Sequence, residues 1–463
     1  MKKLELNFLA RILIALLGVT LLFIGCDGGG SGNSGPHDVW TWMTGESGIN
    51  QTSVYGTRGV PDQANTPGIR TDSASWMDGN GNLWLFGGYG YDTNGNAGSL
   101  SDLWKYDGTN WTWVSGDNLC NHSGIYGTRG TANPSNNPGT RSQAVSWIDA
   151  NGNLWLFGGT GYDEPGNTGY LNDLWKFDGT SWTWVSGDKE VYKAGVYGDL
   201  GVANEFNKPG SRTCATSWID AGGTLWLFGG IGYDDASHNG FLNDLWKFDG
   251  TDWTWISGDI YGDHGGTFGT KGVADAANKP GSRYGAVPWI DKSGNLWLHG
   301  GYGFDKWATA GMLNDLWKFN GSQWTWVSGD DEGNQAGVYG TRGTAGAANK
   351  PGGGYRAVSW TDGIGDFWLF GGYGNDKDGT AGYLNALWKF DGTKWTWISG
   401  EDVRDQSGVY GTRGVADSAN TPGGRRYMIS GIDENGNLWL YGGYGYDKNG
   451  TLGYLSDMWK YIP

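Results

Sequence analysis

The sequence is poor in charged residues and in the residue types that favour helices. Lys, Arg, Asp and Glu make up 17% of its 463 residues, against about 25% in ordinary globular domains. Its 88 glycines and 30 tryptophans stand where a helical bundle would need Leu, Ala, Glu and Lys. A helical bundle is therefore excluded, and the 15% aromatic content excludes a disordered chain, because such chains lack aromatic residues. The composition favours short strands joined by tight turns.

Residues that carry metal or nucleophilic chemistry are also few. The chain has five histidines and three cysteines, and the histidines are scattered along it. It contains no nucleophile–base motif, no phosphate-binding loop and no cluster of metal ligands. The sequence therefore predicts no cofactor and no metal site. Cys120 and Cys214 make a disulfide possible without supporting one.

Basic charge and long hydrophobic runs are scarce as well. The 32 basic and 48 acidic residues give a net charge of −16, which repels phosphate backbones and makes nucleic acid a poor partner. The apolar run Ile12–Gly25 would rise only about 21 Å as a helix, too short to cross a ~30 Å hydrocarbon core.

The first 26 residues are typical of an export signal. Three basic residues among the first eleven precede the apolar run, in the order of a secretory signal peptide. The run Leu22–Cys26 resembles the lipobox of bacterial lipoproteins, with Phe23 where leucine is usual. That resemblance implies lipidation of Cys26 and anchoring to a membrane of the bacterial cell envelope, inner or outer; an ordinary cleaved signal is the alternative. Residues 27–37 then form a flexible Gly/Ser tether.

The rest of the chain is one unit written six times at a constant spacing. Leu-Trp-Leu-Phe-Gly-Gly begins at Leu83, and its counterparts follow in steps of 71 residues (154 − 83 = 71) at Leu154, Leu225, Leu296, Phe367 and Leu438. Trp-Thr-Trp recurs with the same step at Trp40, Trp111, Trp182, Trp253, Trp324 and Trp395. There is no insertion or deletion between copies, which indicates duplication of one supersecondary unit.

Each copy contains four short apolar runs, here called strands a to d. In the second copy they are Ala144–Ile148, Asn153–Phe157, Leu174–Phe177 and Trp182–Val185. Tight turns with Asn-Gly and Asp-Gly predict the hairpins a–b and c–d. The b–c and d–a connections are long, and the Gly-Gly pair is expected to end strand b. The predicted b–c loop is Gly158–Leu171.

Four antiparallel strands per unit, repeated around a ring, make a β-propeller. The last copy supplies strands a, b and c before Pro463, whereas Trp40–Met43 is a strand d without the other three. We therefore expect an all-β, six-bladed propeller over residues 38–463, in which the N-terminal strand completes the last blade. Such closure removes exposed sheet edges.

These strings resemble the kelch repeat. The matching residues in the second copy are Leu154–Gly159, Leu171–Asp178 and Trp182–Trp184, and the resemblance extends over Val39–Pro463. It implies a kelch-type propeller. The family includes binding modules and enzymes, among them galactose oxidase and a periplasmic sialic-acid mutarotase. The oxidase needs a copper site with two histidines, which the scattered histidines here do not suggest, whereas a mutarotase needs only an acid and a base in the channel.

Recurring loop residues give the first candidate site. Pro-Gly-x-Arg places an arginine just before strand a in five copies, at Arg70, Arg141, Arg212, Arg283 and Arg425; the fifth copy has Gly354, with Arg356 two residues on. These arginines are expected to surround the mouth of the central channel. The kelch resemblance implies a grip on carboxylates of a partner, and the alternative is structural pairing with loop carboxylates. Asp residues before strand c, absent at Ala386, are interpreted as caps.

Tyrosines after the Gly pair and two departures from the repeat give further candidates. The tyrosines are Tyr91, Tyr162, Tyr233 and Tyr446, each followed by Asp. A calcium loop at Asp92 is an alternative role that lacks the remaining ligands of the standard motif. The fourth copy departs most, with His299 at the end of strand b and Trp307 in its b–c loop. His299 either belongs to a site or simply fills the position where the other copies have Phe or Tyr.

The sequence thus predicts a monomeric, surface-tethered propeller that binds a protein or glycan ligand through its long-loop face. The alternative is a carbohydrate-acting enzyme, similar to a mutarotase or an oxidase, with its site at the channel mouth. No catalytic constellation is visible, so a binding module is the first choice.

Overall fold

The structure is a computed structural model that describes residues 38–49 and 52–463. In this part of the chain the regular elements are all β-strands, and no helix that could span a membrane is found there. The predicted signal segment 1–26 with Cys26, and the tether 27–37, lie outside the described residues.

The strands follow the repeat, copy by copy. The N-terminal strand is β1 (Val39–Thr44). The first copy contains β2 (Arg70–Thr71), β3 (Ala74–Met77), β4 (Leu83–Tyr91), β5 (Ala97–Tyr106) and β6 (Trp111–Ser115). The second contains β7 (Arg141–Ser142), β8 (Val145–Ile148), β9 (Leu154–Tyr162), β10 (Thr168–Phe177) and β11 (Trp182–Ser186). The third contains β12 (Arg212–Thr213), β13 (Thr216–Ile219), β14 (Leu225–Tyr233), β15 (Asn239–Phe248) and β16 (Trp253–Ser257).

The remaining copies continue the pattern. The fourth contains β17 (Ala274–Asp275), β18 (Arg283–Tyr284), β19 (Val287–Ile290), β20 (Leu296–Phe304), β21 (Ala310–Phe319) and β22 (Trp324–Ser328). The fifth contains β23 (Gly354–Tyr355), β24 (Val358–Thr361), β25 (Phe367–Phe370), β26 (Tyr373–Asn375), β27 (Ala381–Tyr383), β28 (Leu387–Phe390) and β29 (Trp395–Ser399). The sixth contains β30 (Arg425–Arg426), β31 (Ile429–Ile432), β32 (Leu438–Tyr446) and β33 (Leu452–Ile462).

Each copy forms an antiparallel sheet in the predicted order a–b–c–d. In the second copy β8 pairs with β9, β9 with β10 and β10 with β11. The turns that join them contain glycine in the left-handed region, such as Gly152 at φ 80° and Gly179 at φ 93°, a conformation that glycine adopts at little cost. The fold is thus all-β, made of repeated four-stranded antiparallel sheets of the β-propeller kind.

The sequence predicted that the Gly-Gly pair ends strand b, and this is wrong in five copies; only in the fifth copy does the strand stop before the pair, at Phe370. Strand β9 runs through Gly158 and Gly159, which adopt φ 63° and 93°, and the ladder with β10 shifts register between Leu171 and Leu174. A Cβ on Gly158 would lie 2.8 Å from the Arg212 carbonyl oxygen and 2.9 Å from that of Leu171. The glycines therefore permit a bulge that lets both strands continue, and the expected 14-residue loop is an extended hairpin.

The two ends of the described chain pair with each other. β1 lies antiparallel beside β33, with Val39 opposite Ile462 and Trp42 opposite Trp459. The strand-a segments β3, β8, β13, β19, β24 and β31 each contact the next one, and β31 also contacts β3. Side chains from all six copies thus meet along one inner surface.

The long d–a loops fold back over strand d of the copy that follows them. In the first copy Asp62 forms a bridge with Trp111, and Asn65 Nδ2 donates to the Trp111 carbonyl oxygen at 2.9 Å. The Arg58 guanidinium lies 4.3 Å from the Trp113 ring centroid. These contacts cover the outer edge of each sheet, which would otherwise expose unpaired backbone groups.

Aromatic side chains fill the boundaries between copies. Phe157 packs against Trp253 with ring centroids 5.5 Å apart, and Trp147 Nε1 donates to the Trp226 carbonyl oxygen at 3.3 Å. Such rings bury about 150–250 Å² each. The strand tryptophans named here therefore stabilise the packing of neighbouring sheets.

Candidate functional site

Three recurring residue types from distant parts of a copy meet in one buried cluster. In the first copy Arg70 binds Asp102 through two hydrogen bonds, Nη1–Oδ1 at 2.7 Å and Nη2–Oδ2 at 2.9 Å. The same carboxylate accepts from the Tyr55 hydroxyl and from Trp104 Nε1, both at 2.7 Å. Burial and the facing carboxylate raise the pKa of Tyr55. Both ionic side chains are 0% exposed, so the pair fastens the d–a loop to the sheet interior.

The cluster recurs in four other copies. Its members are Arg141, Asp173, Tyr126 and Trp175; Arg212, Asp244, Tyr197 and Trp246; Arg283, Asp315 and Trp317, with Phe268 in place of tyrosine; and Arg425, Asp457, Tyr410 and Trp459. The five arginines are therefore buried in ion pairs instead of exposed at a channel mouth. The aspartates before strand c are their partners, not simple caps.

The fifth copy lacks both halves of the ion pair. Gly354 replaces the arginine and Ala386 replaces the aspartate. At these two positions no buried charge is therefore left without its partner. Arg356, two residues on, instead reaches a cavity of about 160 Å³ to which all six copies contribute. The arginine of this copy has thus left the buried cluster and lies among residues of the inner surface.

Two equivalent positions from every copy line that cavity, and the first of the two carries a different residue in each copy. The six residues, which we call the inner cluster, are Asp72, Gln143, Cys214, Gly285, Arg356 and Tyr427. All six adopt left-handed φ values between 58° and 63°, an uncommon conformation for residues other than glycine. The repeat fixes this backbone shape in every copy, while the side chain differs in each.

Polar groups of the inner cluster converge on Arg356. Arg356 Nη1 lies 3.3 Å from Asp72 Oδ1, its Nη2 donates to Cys214 Sγ, and its guanidinium lies 5.1 Å from the Tyr427 ring centroid. Burial raises the pKa of the Asp72 carboxyl, although Arg356 opposes the effect. Burial likewise raises the pKa of the Cys214 thiol. Arg356 Nε is buried and has no hydrogen-bond partner.

A tyrosine arc borders the inner cluster on the side of the last three copies. It consists of Tyr284, Tyr302, Tyr355, Tyr373, Tyr383, Tyr444 and Tyr454, whose successive ring centroids lie 5.0–5.9 Å apart. The first three copies carry Thr71, Ser142 and Thr213 where Tyr284, Tyr355 and Arg426 stand. At this position the last three copies therefore carry large side chains and the first three carry small polar ones.

Arg426 lies within this arc. Its Nη1 donates to the Tyr355 hydroxyl at 2.8 Å, and its guanidinium lies 5.2 Å from the Tyr373 ring and 4.5 Å from that of Tyr427. Its Nε is buried without a hydrogen-bond partner, and no ion pair of Arg426 is found within residues 38–49 and 52–463. A pocket of about 270 Å³ lies beside it, lined also by Asp72 and Gln143.

The other predicted residues lie away from this pocket. Tyr91, Tyr162, Tyr233 and Tyr446 are half-buried at the ends of the strand-b segments. Asp92 is buried and accepts the backbone N–H groups of Asn94 and Asn96, both at 2.8 Å. This carboxylate oxygen therefore serves a turn.

His299 and Trp307 have separate surroundings. His299 occupies the aromatic slot of strand b, 5.4 Å from the Trp395 ring, and burial lowers its pKa to about 4. Trp307 is 67% exposed, and its Nε1 donates to Glu332 Oε1 at 3.3 Å. Across the described ranges, 38–49 and 52–463, no group of three His, Cys, Asp or Glu side chains is placed to hold a metal ion.

Comparison with known proteins gives structural neighbours only. No family model and no curated protein matches the chain. A protein described as "Structure of YjhT" has TM-score 0.49 and 14% identity, over 85% of this chain and 95% of that one. A fungal alcohol oxidase of the AA5 family in complex with copper has TM-score 0.44 and 13% identity, over 89% and 77%. A protein of unknown function from Dyadobacter fermentans has TM-score 0.47 and 11% identity, over 92% and 99%. At this level of similarity, no functional residue carries over.

The inner cluster and tyrosine arc were not among the residues singled out by motif. Each cluster residue stands two positions after the Pro-Gly-x-Arg arginine or its Gly354 counterpart. A signal was present, since this position carries Asp, Gln, Cys, Gly, Arg and Tyr in the six copies, although it lies only two residues after an arginine that recurs in five of them.

Proposed function

We propose that this protein is a carbohydrate-binding module whose ligand occupies the pocket between the inner cluster and the tyrosine arc. The observation that carries the proposal is the composition of this pocket, with Tyr89, Tyr444 and Tyr454 on its walls and Asp72 and Gln143 at its base. Tyrosine combines an apolar ring with a polar hydroxyl. A sugar ring needs both, because it has apolar C–H faces and a rim of hydroxyl groups.

The polar groups at the base of the pocket support specific recognition of a ligand, beyond apolar contact alone. Ligand pockets typically combine an apolar lining with a few fixed polar groups that orient the ligand. Here Arg426 offers a buried Nε without a partner, and Gln143 offers an amide that already bonds Thr213 Oγ1 through Oε1 at 2.9 Å. Both side chains line the pocket and bring polar groups close to a ligand bound there.

We also propose that the six sheets close into a six-bladed ring of kelch type. Support comes from the pairing of β1 with β33 and from the contact between β31 and β3. In such a ring the inner cluster surrounds the central channel and the pocket lies at its mouth. Closure holds the six cluster residues in one plane of the rigid scaffold.

The proposed location is the bacterial cell envelope, with the propeller tethered to a membrane through lipidated Cys26 and residues 27–37. The support is the signal-like sequence alone. Cys26→Ser is expected to release the protein from membranes. Continued sedimentation of that variant with membranes would argue against lipidation.

A glycan array followed by calorimetry on the best ligand tests the binding proposal. Tyr89 is 41% exposed, so Tyr89→Ala should preserve the fold and lower the affinity about tenfold or more, through loss of a stacking surface. Tyr261→Ala, at a tyrosine 48% exposed on the d–a loop, is the matched control and should bind normally. Equal affinities for both variants, or no glycan bound by the wild type, would refute a site at this pocket.

A sugar-converting enzyme is the second candidate, favoured by Asp72. Its carboxyl has a raised pKa because of burial, and it lies in one cavity with Tyr427. Such pairs can supply the acid and the base of an anomer exchange. Asp72→Asn should abolish exchange measured by NMR while binding persists; a wild type that binds sugars without turnover leaves the binding module as the function.

A further inference from the structure

The boundary between the sixth and first copies lacks two contacts that fill the other boundaries. Elsewhere the strand-b tryptophan packs on the strand-c aromatic ring of the next copy, as Trp84 does on Phe177 at 6.3 Å and Trp155 on Phe248 at 6.0 Å. The same contact recurs for Trp226 with Phe319, Trp297 with Phe390, and Trp368 with Tyr461. Among the described residues, no such ring contact joins Trp439 to Tyr106.

The second missing contact is that of the strand-a tryptophan, a side chain that the sixth copy lacks. Strand a carries a buried tryptophan in five copies, at Trp76, Trp147, Trp218, Trp289 and Trp360. In the sixth copy Gly431 stands at this position. Met77 Cε fills part of the space, since it lies 2.7 Å from where a Cβ on Gly431 would be.

An open cleft lies at this boundary, and Met77, which lies against Gly431, is among its lining residues. It has a volume of about 190 Å³, with Met77, Leu83 and Met458 as its apolar floor and with Trp439 and Tyr106 among its lining residues. Tyr106 is 9% exposed, whereas its counterparts in the other copies are 0–1% exposed. An apolar cavity of about 150 Å³ is enough to bind benzene in other proteins, so this cleft has room for an aromatic ring.

The rim of the cleft adds a charge. Glu434 lines it together with Asn80 and Asn435, and within residues 38–49 and 52–463 Glu434 has no ion-pair partner. The neighbouring Asp433 is already engaged, because its Oδ2 accepts from Trp439 Nε1 at 2.8 Å. One free carboxylate thus stands beside two aromatic side chains.

We propose that this cleft binds a planar aromatic amine, whose ring lies between Trp439 and Tyr106, the two side chains that have lost their direct contact at this boundary. The amine lies against Glu434. At the five other boundaries the corresponding two rings pack on each other, so the gap here leaves aromatic surface open to a planar ring. The cleft shares no lining residue with the glycan pocket, so this proposal stands or falls independently of that one.

Titration of the protein with tryptamine, by calorimetry and by saturation-transfer NMR, tests the proposal. We expect one molecule bound per chain. Indole-3-acetate should bind more weakly, because its carboxylate faces Glu434. Glu434→Gln should lower the affinity for tryptamine about threefold, the scale of an exposed ion pair, and should remove the preference over indole-3-acetate.

Two variants fill the cleft by different routes. Gly431→Trp with Met77→Ile rebuilds the boundary on the pattern of the second, third and fourth copies and should abolish binding while raising the melting temperature. Asn435→Trp, at an exposed turn, should block the entrance without a change in the core, and it decides the matter if the double variant does not fold. No binding by the wild type at millimolar tryptamine, or unchanged affinity in Asn435→Trp, would overturn the proposal.

Discussion

The second and fifth copies differ in a buried Arg–Asp ion pair, which the second has and the fifth has lost. In the second, Arg141 and Asp173 are both buried and bound to each other. In the fifth, Gly354 and Ala386 stand at these positions, and Arg356 lies among the polar residues of the inner cluster. A buried ion pair can be replaced as a whole without a charge being left unpaired. Five copies thus use arginine to hold the loop, whereas the arginine of the fifth copy lines a cavity.

The loss has a local consequence in the fifth copy. Its strand b is interrupted at the Gly pair, as β25 and β26, where β9 in the second copy is continuous. A small cavity of about 20 Å³ lies beside it, lined by Tyr339, His299 and Ala386, with room for about one water molecule. The fifth copy is therefore the less tightly packed of the two.

The largest effect is expected from placing half of the pair in the fifth copy. Ala386→Asp buries a carboxylate without its arginine and should lower the free energy of unfolding by about 3–5 kcal/mol. Adding Gly354→Arg should recover most of that loss, since Gly354 does not have a positive φ. Denaturant unfolding of the wild type, the single variant and the double variant measures the coupling. A double variant as unstable as the single one would contradict the equivalence of the two sites.

The next effect concerns His299, which borders the fifth-copy cavity. Burial lowers its pKa from 6.5 to about 4. Between these values the unfolded chain binds more protons than the folded one, so stability rises with pH from 4 to 6.5 and is lost on acidification, by up to about 3 kcal/mol. His299→Phe, the residue of the second copy, should flatten this interval. Unfolding curves at pH 4.5 and 7 measure it, and an unchanged slope would show that His299 is not buried neutral.

The smallest expected effect is the difference in stability loss between two tyrosine-to-phenylalanine variants. Tyr126 donates to the buried Asp173 carboxylate at 2.6 Å, so Tyr126→Phe should cost about 1–2 kcal/mol. In the fifth copy Ala386 offers Tyr339 no carboxylate, and Tyr339→Phe should change stability by less than about 0.5 kcal/mol. The fourth copy already has Phe268 at this position. Equal losses for the two variants would mean that the hydroxyl of Tyr339 has a partner of similar strength.

Much of the repeat could be predicted from the sequence, because spacing and turn residues are local signals. The hairpin at Asn151–Gly152 and the strand order follow from them. The continuation of β9 through Gly158 could not be predicted, since a glycine pair is equally typical of a strand end and of a bulge. The Arg70–Asp102 pair joins residues 32 positions apart, which only the strand register brings together.

The candidate site was harder to predict for a related reason. A sequence motif consists of residues that recur, whereas the inner-cluster position carries a different residue in every copy. Cys214 and Arg356 contact each other across 142 positions, through copies that are not consecutive. Their proximity depends on the arrangement of all copies, which no single motif contains.

Melting temperature and glycan affinity, measured together for Arg141→Met and Arg356→Met, separate the role of the buried ion pairs from that of the inner cluster. We predict that Arg141→Met melts well below the wild type, because Asp173 is left buried and unpaired, and that this variant binds glycan normally while it is folded. Arg356→Met should lower the melting temperature less than Arg141→Met does, because its partner Asp72 borders a cavity and keeps 8% of its side chain exposed, whereas Asp173 is 0% exposed; it should also lose glycan affinity. An Arg356→Met protein that melts as early as Arg141→Met and binds glycan as the wild type does would contradict the division of roles between the two arginines.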